Sequence, residues 1–213
     1  MKLIKLLTMF CVTASPLSAA QTLSFKLNTV AGVNVTPPAG DAPWATVTFT
    51  DHGPNQVGLL LTLDLTGNEF MSRFSFNLDP SMAANSLVFS DVSTVGAFTL
   101  PAITLSNDTV KAGQGTRFDV GFDFNVSNSS NGSRRFNETD SLYFIMTYDG
   151  SDLFNANSFN YLDATSKNNV IGHIQGIGYD DTSAWLTNTS IPEPQPALLI
   201  GVFGLITLLR RRK

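Results

Sequence analysis

Phe118-Asp119-Val120-Gly121-Phe122-Asp123-Phe124-Asn125-Val126 alternates between an apolar side chain and a polar or small one. A period of two places Phe118, Val120, Phe122, Phe124 and Val126 on one face of a β-strand and Asp119, Gly121, Asp123 and Asn125 on the other. One face is buried and the other solvated, the pattern of an antiparallel sheet with a single core side. The rule recurs along the chain. Leu23, Phe25 and Leu27 alternate with Ser24, Lys26 and Asn28, and Val47 and Phe49 alternate with Thr46, Thr48 and Thr50. Leu59, Leu61, Leu63 and Leu65 share a face, as do Phe74, Phe76 and Leu78. Leu142 to Tyr148 is more continuously apolar and reads as a central strand.

Turn formers separate these runs: Asp51-His52-Gly53-Pro54, Thr66-Gly67-Asn68, Asp79-Pro80-Ser81, Ser106-Asn107-Asp108, Asn128 to Gly132 and Asp149-Gly150. Gly113-Gln114-Gly115 is too short for a phosphate loop and reads as a hairpin turn. Ser81 to Asn85 suits one helical turn, and Ser151 to Ala164 a short helix. No segment of the body supports a long amphipathic helix. Many short strands, and 16 phenylalanines to cover, require two facing layers. The expected fold is all-β: an antiparallel β-sandwich, jelly-roll-like, over residues 21–190.

The charges are unevenly placed. Of 13 Lys and Arg, Lys2 and Lys5 open the chain and Arg210, Arg211, Arg212 and Lys213 close it, while 16 of the 17 Asp and Glu lie in the body, residues 21–190, with Glu193 the exception. An acidic, Lys-poor body argues against nucleic acid as a partner.

Both ends read as addresses. Lys2 and Lys5 precede a short apolar run, Leu6 to Val12, and Ser18-Ala19-Ala20 has the small residues of a signal-peptidase site. Residues 1–20 are the expected signal peptide, cut between Ala20 and Gln21. The only cysteine, Cys11, falls inside it. The mature chain is thus expected to carry neither disulfide nor thiol nucleophile. At the other end, residues 191–213 hold Pro192-Glu193-Pro194, an apolar helix over about 196–209, and the basic tail 210–213. That helix is ~20 Å long, short against ~30 Å of bilayer hydrocarbon. The cations after it favour a cytoplasmic end, which leaves the body outside.

Pro192-Glu193-Pro194, the apolar helix and the terminal Arg cluster resemble the PEP-CTERM sorting signal. The resemblance implies a Gram-negative bacterium that makes exopolysaccharide. It further implies a membrane-embedded exosortase that cuts near Pro192-Glu193-Pro194, after transient tethering in the inner membrane, and delivery to the cell surface or extracellular matrix. The body is similar to a common group of PEP-CTERM proteins in two places. One is Phe76-Asn77-Leu78-Asp79-Pro80. The other is His173-Ile174-Gln175-Gly176-Ile177-Gly178, followed by Ser183-Ala184-Trp185-Leu186. Group members usually place Ala before the His, where this chain has Gly172. The group is recognised by pattern, so it implies fold and location and not chemistry.

Chemistry is sparse. The chain has two histidines, His52 and His173, without the spacing of a metal site. His173 is expected to be structural, its ring bonded to backbone near the glycines that follow. No Gly-x-Ser-x-Gly elbow occurs, and the aspartates suit turns as well as a glycosidase pair. No catalytic residue and no obligatory cofactor are expected. Asp149 and Asp152 with Asn155 and Asn157, or Asp180 and Asp181, offer hard oxygen ligands for Ca2+ at loops, without the EF-hand pattern. Trp44 and Trp185 are candidates for stacking on sugar rings, against a competing place in the core. The leading expectation is a structural or adhesive protein in the exopolysaccharide matrix. A carbohydrate-binding module comes second and a polysaccharide hydrolase third.

Overall fold

The computed structural model describes residues 20–138, 140–162 and 168–188. The apolar run of the expected signal peptide, Pro192-Glu193-Pro194, the C-terminal helix and Arg210 to Lys213 lie outside the described residues. So does Ala164, the end of the segment read as a short helix.

Eleven strands run β1 (Thr22–Ala31), β2 (Ala45–Gly53), β3 (Gln56–Leu63), β4 (Phe70–Phe76), β5 (Leu87–Val95), β6 (Ala102–Lys111), β7 (Arg117–Asp123), β8 (Phe136–Asn137), β9 (Ser141–Tyr148), β10 (Val170–Ile177) and β11 (Thr182–Asn188). The fold is all-β, and every strand pairing is antiparallel. The alternation in the sequence is the cause. Leu23, Phe25 and Leu27 of β1, Val47 and Phe49 of β2, and Leu59, Leu61 and Leu63 of β3 are buried in one apolar cluster.

The strands form one sheet in the order β5-β9-β3-β2-β1-β11-β10-β4-β7-β6, with β8 added to β4. Strand β1 serves both halves. Thr22 to Leu27 pairs with β2, and Leu27 to Ala31 pairs with β11. The register breaks between Leu27 and Thr29, where the strand changes partner. The halves then face each other across phenylalanines. Phe49 of β2 lies 5.5 Å from Phe76 of β4, and Phe122 of β7 lies 5.7 Å from Phe89 of β5 and 5.6 Å from Phe144 of β9. These three pairs meet edge to face, the arrangement that ring quadrupoles favour.

Several sequence expectations are corrected. Val126 does not continue β7; it is 50% exposed. The strand ends at Asp123, and the Asn125 side chain takes the Ser127 amide and turns the chain outward. Phe118 does not share the main core with Val120 and Phe122. It packs with Val110 and Ile171 in a second cluster, joined by Ala112 and Trp185. That cluster lies on the far side of the sheet, since a side chain at Gly121 would meet Val110 at 2.6 Å. Among its described residues, the segment read as a helix from Ser151 holds only a 3-10 turn, Ala156–Phe159, capped by Asn155 and Ser158. That turn delivers Phe159 to stack on Phe49 at 4.0 Å. Thr187 and Asn188, near the end of the expected body, are buried in β11.

The two edge strands are irregular. Breaks of register in β5 and β6 accompany left-handed backbone at Asp91 and Asp108. Bulged edges resist pairing with other chains.

Candidate functional site

Two bulges along the pairings of β10, one in β4 and one in β10 itself, shape the outer face of the sheet. Opposite β4, His173 pairs with Arg73 and Ile174 with Met71, so Ser72 is an extra residue. Its hydroxyl lies 2.8 Å from His173 Nδ1 and 3.1 Å from the His173 carbonyl oxygen. Both contacts are satisfied when Oγ–H donates to the carbonyl and Nδ1–H donates to Oγ. In that arrangement Ser72 is a clamp and not an activated nucleophile, since its proton is held by backbone. Ser72 thus takes the ring nitrogen that the sequence reading assigned to backbone near the glycines.

The His173 ring stacks on Trp185, with centroids 4.4 Å apart. Burial, and then the Arg73 guanidinium, push the imidazole below its ordinary value, so it is neutral at pH 7. Arg73 itself is paired with Asp123 and donates to the Lys111 carbonyl.

The second bulge faces β11. Gln175 pairs with Ser183 and Ile177 with Thr182, leaving Gly176 extra, at φ +76°. A side chain there would begin 2.6 Å from the Asn68 carbonyl. Only glycine accepts both the left-handed backbone and that approach. Gly178, also left-handed, opens the β10–β11 hairpin, whose Tyr179 is fully solvent-exposed.

Between these elements lies an open groove of about 700 Å³, lined by Asn68, Asn128, Asn131, Gln175, Arg135 and Asp181 over Phe70. The Arg135 guanidinium sits 3.9 Å from the centre of the Phe70 ring, and its Nε and Nη2 donate to the Val126 carbonyl. Those bonds fold the loop after β7 into one wall. A second depression of about 460 Å³ shares Gln175 and continues past His173 to Trp185, Arg73 and Asp123. Among the described residues, the side-chain amides of Asn68, Asn128, Asn131 and Gln175 make no hydrogen bond to the protein.

The sequence candidates distribute as follows. Trp44 is 8% exposed and belongs to the main core, which corrects its candidacy as a sugar platform. Trp185 is half-buried and lines the second depression, but its indole is engaged by His173 and by Gly113, where a side chain would begin 2.5 Å from the ring. Asp149 and Asp152 are exposed after β9, and Asp180 and Asp181 are exposed on the β10–β11 hairpin. Among the described residues no three His, Cys, Asp or Glu side chains gather as a metal site. His52 and His173 lie on strands that are not neighbours. Ala20 is exposed, while Gln21 is tied down. Its amide donates to Asp51 Oδ2 at 3.1 Å and its side-chain oxygen accepts from Asn157.

Asn68, Asn128, Asn131, Arg135, Gln175 and Tyr179 were not candidates on sequence grounds. Only the His173–Gly178 segment pointed to this face. No protein-family model, no curated protein and no solved structure matches the chain.

Proposed function

We propose that this chain is an exported envelope protein whose body, a jelly-roll-like β-sandwich, is structural or adhesive in an exopolysaccharide matrix. In this reading signal peptidase removes residues 1–20, and an exosortase acts near Pro192-Glu193-Pro194 while the apolar helix and Arg210 to Lys213 hold the end in the inner membrane. The observation that carries it is the pairing of those two terminal segments in one chain, with opposite roles and one consistent topology. The body's boundaries agree with it. Strand β1 begins at Thr22, just after the expected cut, and β11, over Thr182–Asn188, is the strand nearest the tag among the described residues. Those strands are neighbours, with Leu27 opposite Asn188. Removal of both tags would leave every described strand pairing in place.

A second reading, a carbohydrate-binding module, is favoured by the amide-lined groove on the outer face. A hydrolase has less support. The two depressions offer Asp181 and Asp123, and Asp123 is already paired with Arg73.

The test is the intact mass of the mature protein from its native host, with and without Pro192-Glu193-Pro194 changed to alanines. A species running from Gln21 to near Pro194, absent from the variant, supports sorting. A mass that reaches Lys213 in both rejects it and reduces the tail to an anchor.

A further inference from the structure

We propose that the groove between the β10–β11 hairpin and the loop after β7 binds a neutral polysaccharide, with Gln175, which lines both depressions, as a contact and Tyr179 exposed on the adjoining hairpin. The inference deepens the carbohydrate-binding reading and is independent of sorting.

The chemistry of the walls selects the ligand. Asn68, Asn128, Asn131 and Gln175 each present a planar amide with donors and an acceptor side by side, all unused by the protein. Sugar hydroxyls also donate and accept, and adjacent hydroxyls on a pyranose match such a pair. Charge nearly cancels. Arg135 faces Asp181 across one depression, and Arg73 is neutralised by Asp123 in the other. A phosphate or polyanion would need a surplus of cations that the groove lacks. Two of the Arg135 nitrogens are already spent on the Val126 carbonyl. A peptide added as a strand would need a free sheet edge, and β10 is hydrogen-bonded on both sides.

Shape agrees. Both depressions are lined by Gln175, and β10 contributes Gly176 to one and His173 to the other, an arrangement along one strand that suits a linear chain. The apolar lining includes Val126, which is half exposed, and the half-buried Trp185, which can meet the C–H faces of sugar rings. Tyr179 stands fully exposed at the tip of the hairpin that carries Asp181 and Ser183 into the wall. An aromatic ring placed there is a stacking platform beside the groove. The walls are set before any ligand arrives. Ser127 and Ser129 cross-bond within one loop, and on the other side the backbones of Gly176 and Asn68 approach too closely to admit a side chain. Preorganisation of this kind reduces the ordering cost of binding.

The experiment is affinity electrophoresis of the full-length protein in native gels containing laminarin, galactomannan, hydroxyethyl cellulose or alginate. Gln175→Ala and Tyr179→Ala are run beside the exposed control Val88→Thr. Equal urea midpoints establish that all variants fold. The expected result is retardation by at least one neutral polymer and none by alginate, with affinity about tenfold weaker or worse in both groove variants and unchanged in the control. No retardation by any polymer overturns the proposal. Retardation that survives Gln175→Ala and Tyr179→Ala also overturns it, as does retardation by alginate alone. None of these failures would alter the masses that test sorting.

Discussion

The carbonyl oxygen of Asn68 stands 2.6 Å from the point where a side chain at Gly176 would begin. Gly176→Ala therefore meets two penalties at once. Left-handed backbone costs a non-glycine residue about 1–2 kcal/mol, and the carbonyl belongs to backbone that cannot swing aside. We expect a lower urea midpoint with unchanged slope. Gly67→Ala is the comparison, since that left-handed glycine has nothing within 4 Å, and it should cost less.

Asp119 is buried, and its two carboxylate oxygens accept the backbone amides of Leu78 and Asp108, both at 2.8 Å. One side chain thus ties the exit of β4 to the bulge in β6. Asp119→Ala orphans both amides and should destabilise the domain by about 3 kcal/mol. Asp119→Asn keeps one acceptor and should fall between. Thermal melts of the three proteins check the order.

Phe49 stacks on Phe159 and meets Phe25 and Phe76 edge to face. Phe49→Ala leaves a cavity at the centre of the core and should cost about 3–5 kcal/mol. That is a large share of the stability of an ordinary domain. A double-mutant cycle with Phe159→Leu should show coupling between the two rings, because they share one stack.

His173 gives the domain a signed pH dependence. The folded imidazole, pushed down first by burial and then by Arg73, binds a proton less readily than the unfolded one. Between the two values the unfolded chain carries more protons, so stability rises with pH. The contribution is complete above about pH 6.5, the unfolded value, and is lost as pH falls from there towards the folded value. His173→Gln should flatten the melting temperature in that window and leave the carboxylate-driven loss at lower pH.

The strands were legible because a one-sided strand writes its burial directly into alternate residues. β1, β2 and β3 follow the periodicity, whereas β7 is buried at every position from Phe118 to Phe122. The site was not legible, for a related reason. A bulge adds one residue and leaves composition unchanged, so Ser72 and Gly176 look like ordinary members of their strands. Phe118 matches the period in sequence, yet its side chain packs with Val110 and Ile171 and not with Val120 and Phe122, a separation that alternation alone does not encode. The groove draws Asn68, Asn131 and Gln175 from distant parts of the chain, and each alone is an unremarked surface amide. Trp44 and Trp185 drew attention by residue type, whereas the ring left free in solvent was Tyr179.

Strand β11, the last strand among the described residues, lies in the interior of the sheet, with β1 on one side and β10 on the other. A polypeptide that emerges from its N-terminus can pair β1 with β2 early, but the seam that joins the two halves waits for Thr182 to Asn188. A message cut short before that point would yield two partial sheets with open flanks, not a domain missing its border. Completion of synthesis is in this way a condition for closure, and an interrupted chain is marked by unpaired backbone that quality-control proteases can recognise.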